Sequence, residues 1–163
     1  MSRGGPILGV LAAVLLSGAD GGGCRGDREV PVRALGNGLQ CGGPGEGVSA
    51  RRLGTVDEVR AALAAGLGAQ PAMPALDLEK EVVVLVSAGQ KPTAGYGIEL
   101  AADKAPVKDG AAGVRVVLKA PADGAVSAQL MTSPCLVVAL PAAGLTGVGV
   151  LDGDKVVAKL PLR

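Results

Sequence analysis

The chain has 163 residues, of which 48% are hydrophobic and 19% are charged, and its formal net charge is +1. This composition predicts a packed globular domain rather than a disordered chain, and no basic cluster or aromatic series supports nucleic-acid binding. The sequence contains no histidine, which excludes Ser-His-Asp and Cys-His catalysis and every histidine metal site.

The beginning of the chain is typical of a secretory signal, which we assign to residues 1–23. Arg3 supplies a short positive region, and residues 7–16 form an apolar core that is too short to cross a bilayer as a helix. We therefore expect an exported protein, located in a bacterial cell envelope, in the periplasm or outside the cell.

Two processing sites compete at the end of this signal. Small residues up to Ala19 suit an ordinary signal peptidase, whereas Cys24 suits cleavage and lipidation of the new N-terminal cysteine. Gly21 stands where lipidated proteins normally carry an aliphatic residue, but the odd count of three cysteines and the polar run after Cys24 favour the lipid anchor. We expect a lipoprotein with a tether over residues 24–34 and a single globular domain over residues 35–163.

The start of the domain is rich in glycine and in short β-prone runs. Residues 30–35 and 39–41 are predicted to form a hairpin, because the intervening Gly36-Asn37-Gly38 suits a type I′ turn. Residues 42–47 are predicted to form a flexible loop, and residues 48–53 a further strand.

One clear helix is predicted to begin at Thr55. Thr55 and Glu58 have the spacing of a capping box, in which each side chain accepts a backbone N–H in the first turn. An apolar stripe follows at helical spacing and ends near Gly66 or Gly68. We expect this helix to pack on the sheet rather than to dock a partner. The stripe consists of Val56, Val59, Leu63 and Leu67.

The most informative stretch runs over residues 81–100. Residues 82–86 are continuously apolar and mostly β-branched, which predicts a strand buried on both faces. A loop punctuated by glycine and proline follows over residues 89–95, and a second strand is predicted over residues 96–100. Such a loop holds one shape and is suited to contact a partner, and it leads to Tyr96, the only aromatic residue.

The remainder of the chain is predicted to be β-structure. About seven short strands with one helix indicate a mainly β (α+β) fold, either an antiparallel β-sandwich or a small barrel with one packed N-terminal helix. A type I′ hairpin is expected at Asp152-Gly153. The strands predicted after residue 100 are residues 114–119, a weakly alternating run over 125–131, 136–140, 147–151 and 155–160.

Cys41 and Cys135 are the remaining cysteines of a protein that we expect to be exported. In an oxidising compartment they are candidates for a disulfide that ties the N-terminal region to the strand predicted at residues 136–140. Closing a loop of about a hundred residues would stabilise the fold by about 4 kcal/mol in the chain-entropy model.

Few residues of the chain suit catalysis or metal binding. A Ser-Lys arrangement of Ser87, Lys91 and Ser133 stays formally open, but spacing alone does not place a serine against a desolvated lysine. Asp152 and Asp154 are too few ligands for a calcium ion. We therefore expect a protein that is not an enzyme, that uses no cofactor or metal and that has no nucleic-acid partner.

Two segments of the chain resemble one known family. GQKPTAGYGIEL, residues 89–100, and QLMTSPCLVV, residues 129–138, are similar in sequence and order to the motifs of the PrcB family of protease-complex subunits. The resemblance covers roughly residues 76–141. It implies an exported, often lipid-anchored and non-enzymatic protein that helps to assemble a surface protease. The partner contacts that it implies are Gln90, Lys91, Pro92, Thr93, Gly95, Tyr96, Thr132, Ser133 and Pro134.

Two other functions are compatible with the same loop. Residues 92–96 are similar to the loop of chagasin-type cysteine-protease inhibitors, which lies between strands of an immunoglobulin-like sandwich and enters the enzyme cleft. The downstream aromatic loop of those inhibitors has no counterpart, because the chain contains no tryptophan or phenylalanine. The third function is that of an anchored structural domain without a protease partner.

Overall fold

The structure is a computed structural model that describes residues 28–43, 45–67 and 72–162. The predicted signal peptide, the first part of the tether and the candidate lipidation site Cys24 lie outside these residues. The elements in chain order are β1 (Arg28–Pro31), β2 (Arg33–Gly38), β3 (Ser49–Leu53), α1 (Val56–Leu67), β4 (Glu81–Ser87), β5 (Gly97–Leu100), β6 (Lys104–Lys108), β7 (Ala111–Lys119), β8 (Cys135–Pro141), β9 (Gly147–Asp152) and β10 (Lys155–Pro161).

The strands form two sheets with an apolar core between them. The six-stranded sheet has the order β1-β6-β7-β9-β10, with β5 also paired to β7, and the four-stranded sheet has the order β2-β8-β4-β3. Pairing is antiparallel throughout the described residues except between β7 and β9, which are parallel. The predicted β-sandwich with one helix is confirmed, and the described strands do not close into a barrel.

The four-stranded sheet is the middle layer, and its strand β4 contributes to two cores. Val82, Val84 and Val86 pack in the core shared with the six-stranded sheet. Val83 and Leu85, on the other face, pack in the core shared with helix α1. Because successive side chains of a strand point to opposite faces, a strand between two apolar layers is apolar throughout. The prediction of a strand buried on both faces is therefore confirmed.

Helix α1 begins with the predicted capping box. The backbone N–H of Glu58 donates to Thr55 Oγ1 at 3.2 Å. The N–H groups of Gly54 and Thr55 donate to Glu58 Oε2 at 2.7 and 3.0 Å. These bonds satisfy backbone donors that the start of a helix otherwise leaves without partners, and they fix where α1 begins.

The apolar side of α1 faces the four-stranded sheet. Val59 and Leu63 are buried in the core beneath the helix, which confirms that the helix packs on the sheet. Val56, the first residue of the predicted stripe, is 44% exposed. The side chain of Leu67 and the alternative stop at Gly68 lie outside the described residues. Across the described ranges, no helix is long and apolar enough to cross a membrane.

The predicted N-terminal hairpin is wrong. Residues 36–38 do not turn but continue strand β2, which pairs with the buried strand β8. Pairing of β2 with the central strand β8, interrupted by one irregularity between Ala34 and Gly36, outweighs the local turn preference of Asn-Gly. The chain also joins the fold before residue 34, the predicted end of the tether, since Val30 and Val32 are buried between the sheets.

The predicted strand over residues 125–131 is also wrong, because residues 120–131 contain no strand. Val126 is fully exposed, so the weak alternation of this run does not correspond to a buried face. A strand gains its stability from packing on such a face and from pairing, and alternation alone supplies neither.

The hairpin turns differ from the sequence prediction. Between β9 and β10 the central residues are Gly153 and Asp154, and only Gly153 has a positive φ, of 60°, which fits a type II′ turn rather than the expected type I′. A type I′ turn lies instead between β6 and β7, where Asp109 and Gly110 have φ values of 51° and 81°. The Asp-Gly signal for that turn is present in the sequence, but the turn and β6 were not among the predicted elements.

Candidate functional site

The two segments that resemble family motifs leave the same end of the four-stranded sheet. Strand β4 ends opposite the start of β8, so the loop after β4 and the segment before β8 run side by side. Lys91 and Thr132 join them through two N–H···O bonds of 2.8 and 2.9 Å. We call residues 88–96 and 129–134 the paired loops.

Thr132 and Pro134 hold the paired loops together from inside. Thr132 is only 2% exposed, and its hydroxyl donates to the carbonyl of Thr93 at 3.0 Å. Pro134 is also buried, and its carbonyl accepts the N–H of Ala88 at 2.8 Å. Both predicted contact residues therefore lie beneath the surface of the paired loops, where they fix the course of the backbone.

Other predicted contact residues are accessible. Gln90 and Pro92 are exposed, whereas Lys91 and Tyr96 are partly buried. Lys91 Nζ lies 5.8 Å from the centroid of the Tyr96 ring, within the range of a cation–π contact. These side chains line an open cleft of about 410 Å³. The lining residues are Glu46, Gln90, Lys91, Pro92, Tyr96 and Met131.

Gly95 is partly buried where the first paired loop passes close to the stretch between β7 and β8. A Cβ on Gly95 would lie 2.6 Å from both Pro121 Cγ and Ser127 Oγ, closer than real Cβ contacts. Next to it, the N–H of Ala94 donates to the carbonyl of Ala128 at 3.2 Å. The loop is therefore fixed against this stretch at a separation that only glycine permits.

Thr93 contributes to the paired loops through its carbonyl. Its side-chain Oγ1 is buried and has no hydrogen-bond partner among the described residues. A buried hydroxyl without a partner is destabilising, because it has lost its bonds to water. Thr93 is partly buried as a whole, so its exposed part remains available for contact.

A third segment, residues 39–43, clamps the second paired loop, and we call it the clamp segment. The N–H of Ser133 donates to the carbonyl of Leu39 at 2.7 Å. The Ser133 carbonyl accepts the N–H of Gly42 at 2.8 Å, and the Ser133 hydroxyl donates to the carbonyl of Gly43 at 3.0 Å. Ser133 is thus held through all its polar groups, a role that the sequence analysis missed.

A disulfide between Cys41 and Cys135 fastens the clamp segment covalently. The two Cα atoms are 5.5 Å apart, within the usual range for a disulfide, which supports the predicted pairing. Cys135 directly follows the second paired loop. The cysteine pair was therefore the one signal in the sequence that connected the clamp segment with this loop.

The serines and the lysine left open for Ser-Lys chemistry have structural contacts. Ser87 Oγ accepts the N–H of Gly89 at 3.1 Å, and Ser133 Oγ donates to a backbone carbonyl. Lys91 Nζ lies over the Tyr96 ring. Within the described part of the chain, no three His, Cys, Asp or Glu residues are grouped so as to hold a metal ion. In each case the contact is a structural one: the two serine hydroxyls bond to backbone groups, and the Lys91 ammonium lies over an aromatic ring.

Comparison with known families identifies the segment that contains the paired loops. A family model described as PrcB C-terminal matches residues 82–141, from the second residue of β4 to the end of β8. Both paired loops lie within this match, which confirms the resemblance seen in the sequence, whereas the clamp segment lies before it. No curated protein and no solved structure matches the chain.

Proposed function

We propose that this chain, whose residues 82–141 match the PrcB C-terminal family, is a non-enzymatic subunit that binds an extracytoplasmic protease through its paired loops. The family match supplies the context of a protease-complex subunit. The observation that carries the proposal is the Lys91–Thr132 bridge, which brings both family motifs to one accessible surface. Loops fixed by a rigid scaffold are where binding residues concentrate.

The surface suits binding because it is held in one shape before a partner arrives. The backbone bridge joins the paired loops, and the Cys41–Cys135 disulfide holds the clamp segment against the second of them. The close approach at Gly95 restrains the first paired loop. A surface that is already ordered loses little conformational entropy on binding, so more of the contact energy appears as affinity.

We further propose that the protein is exported and held at the cell envelope by a lipid on Cys24. The signal-like composition of residues 1–23 supports export. The disulfide supports it as well, because disulfides persist in oxidising compartments and are rare in the cytosol. A lipid anchor would keep the subunit beside a protease at the same surface and would raise the effective concentration of one for the other.

A second candidate function is protease inhibition. Pro92 is exposed in a loop between two strands, and residues 92–96 are similar to the inhibitory loop of chagasin-type proteins. An inhibitor of that kind would insert this loop into the protease cleft. It would lower protease activity at a near-stoichiometric ratio, whereas an assembly subunit would leave the activity unchanged or raise it.

The test is affinity capture of the tagged mature protein from its native envelope in mild detergent, with mass spectrometry and a protease assay on the eluate. We expect an active protease to co-purify with the protein. Recovery of a silenced protease would favour inhibition instead. If no protease co-purifies at any salt concentration tested, both functions are excluded and an anchored structural domain remains.

A further inference from the structure

Three exposed apolar side chains lie on the second paired loop and the clamp segment. Leu39, Leu130 and Met131 are 40%, 55% and 58% exposed, and we call these three residues the apolar ledge. Leu39 belongs to the clamp segment, and the other two belong to the second paired loop. The other large apolar side chains that are exposed in the described residues are Val56, Val117, Val126 and Val156.

Hydrogen bonds join the clamp segment, which carries Leu39, to the second paired loop, which carries Leu130 and Met131. The Leu39 carbonyl accepts the N–H of Ser133 at 2.7 Å, and the Met131 carbonyl accepts the side-chain amide of Gln40 at 3.1 Å. Met131 also lines the cleft together with Tyr96. The ledge and the cleft therefore adjoin at Met131, which belongs to both. An apolar centre with a polar rim is the usual composition of a protein–protein interface.

The first described residue, Arg28, lies at the opposite end of strand β8. Its guanidinium donates to the carbonyl of Ala143 at 2.6 Å, and Ala143 follows the end of β8. The apolar ledge lies at the other end, since Met131 precedes the start of β8. The seven residues of β8 separate the two ends by about 20 Å, at roughly 3.3 Å per residue.

This separation limits what can cover the ledge. Under the proposed cleavage before Cys24, residues 24–27 precede Arg28 and span at most about 14 Å when fully extended. That length is shorter than β8, so these four residues do not reach the ledge. The ledge of the anchored protein is therefore left for a partner on the side away from the attachment point.

We propose that the protease partner covers the apolar ledge, and that a water-soluble domain of this partner seats an apolar side chain between Met131 and Tyr96. This inference rests on the proposed function and deepens it. It extends the contact surface from the paired loops to Leu39, which lies outside the segment matched by the family. It also orients the subunit, with the lipid at one end of β8 and the protease at the other.

The test combines cross-linking in the native envelope with measurements of affinity. Photoreactive benzoylphenylalanine replaces the residue at position 130 of the full chain or, as a control, the residue at position 156. The double variant Leu39→Ser with Met131→Ser is titrated against the captured protease beside the matched surface variant Val156→Ser. Circular dichroism and thermal unfolding of each variant check that the fold is retained.

We expect a cross-link to the protease from position 130 and none from position 156. We expect the double variant to bind the protease about tenfold more weakly, because truncating apolar side chains at the centre of an interface commonly costs that much affinity. Val156→Ser should bind as the unchanged protein does. A cross-link from position 130 to lipid, to a second copy of this chain or to no molecule at all would overturn the inference.

Two outcomes separate this inference from the proposed function. If a protease is captured but binds the double variant as tightly as the unchanged protein, the ledge is not a contact and the proposed function still stands. If position 130 cross-links to one identified protein that is not a protease, and only the double variant loses that cross-link, the ledge is a contact site and both the protease partner and the proposed function are wrong.

Discussion

The backbones of Lys91 and Thr132 exchange two hydrogen bonds. The two residues lie in different loops, and three strands of the other sheet separate them in the sequence. This bridge is isolated from the regular strands, so its geometry depends on where β4 ends and β8 begins. The shape of the candidate site is thus a product of the middle sheet rather than of local turn preferences. Substitutions at the bridge should consequently alter the loops without altering the sandwich.

Thr132→Val should weaken the paired loops. The substitution removes the hydroxyl that donates to the Thr93 carbonyl, and we expect the free energy of unfolding to fall by about 1 kcal/mol in urea denaturation. Amide exchange at Lys91 should become faster, while exchange at Val84 in the buried strand β4 should follow global unfolding only. Unchanged stability together with unchanged exchange at Lys91 would show that the hydroxyl does not hold the loops.

Thr93→Val is the matched substitution and should have the opposite effect. Because Thr93 Oγ1 is buried without a partner among the described residues, replacing it by a methyl group removes a desolvated polar atom. We expect the free energy of unfolding to stay the same or to rise by up to about 1 kcal/mol. A decrease as large as that of Thr132→Val would contradict this account of the Thr93 hydroxyl.

The disulfide should make a large contribution to stability. The double variant Cys41→Ala with Cys135→Ala opens a loop whose ends are 94 residues apart, and we expect it to lower the free energy of unfolding by about 4 kcal/mol. In the unchanged protein, intact mass after alkylation should show these two thiols to be protected until a reductant is added. Alkylation of both thiols without reductant would exclude the bond in solution.

Acid should weaken the start of helix α1 through Glu58. Hydrogen bonds from the N–H groups of Gly54 and then Thr55 hold the pKa of the Glu58 carboxyl below its usual value of 4.5. The stability that this carboxylate contributes is complete above that usual value and is lost as the pH falls through the lowered pKa. Thermal unfolding measured over this range should therefore depend more steeply on pH in the unchanged protein than in Glu58→Gln. Identical pH profiles would rule out the carboxylate as a source of stability.

Tyr96→Ala should abolish protease capture while the domain stays folded. The ring is partly buried and lies under the Lys91 ammonium, so we expect its loss to lower the free energy of unfolding by no more than about 2 kcal/mol. Tyr96→Phe keeps the ring and should retain most of the binding. If Tyr96→Ala melts the protein at room temperature, Tyr96 belongs to the core and is not a contact residue.

The sequence predicted the parts of the fold that depend on strong local signals. The continuous apolar runs of β4 and β8 identify strands with apolar layers on both faces, and the Thr55–Glu58 spacing identifies the start of α1. Strand β6, with charged residues at both ends and Pro106 inside, has no such signal. The pairing of β2 with β8 and the parallel pairing of β7 with β9 are long-range choices, which short turn motifs do not determine.

The candidate site was predicted in part for the same reason. Glycine, proline and the family resemblance located both paired loops, and the cysteine count linked Cys41 to Cys135. The clamp segment was missed, because Ser133 binds it through backbone groups of distant residues, which carry no side-chain signature. The burial of Thr132 and Pro134 could not be read from the motif either, since a motif does not separate residues that touch a partner from residues that support the loop.

The type I′ turn at Asp109 and Gly110 is a suitable site for immobilising the protein in a binding assay. Strand β6 pairs with β1 so that Arg28 lies opposite Val107, and the turn is therefore at the end of the sandwich away from the paired loops. A biotin acceptor peptide inserted at this turn would fix the protein on a sensor surface in one orientation. Candidate partners could then be screened in solution with the cleft unobstructed, before any of them has been identified.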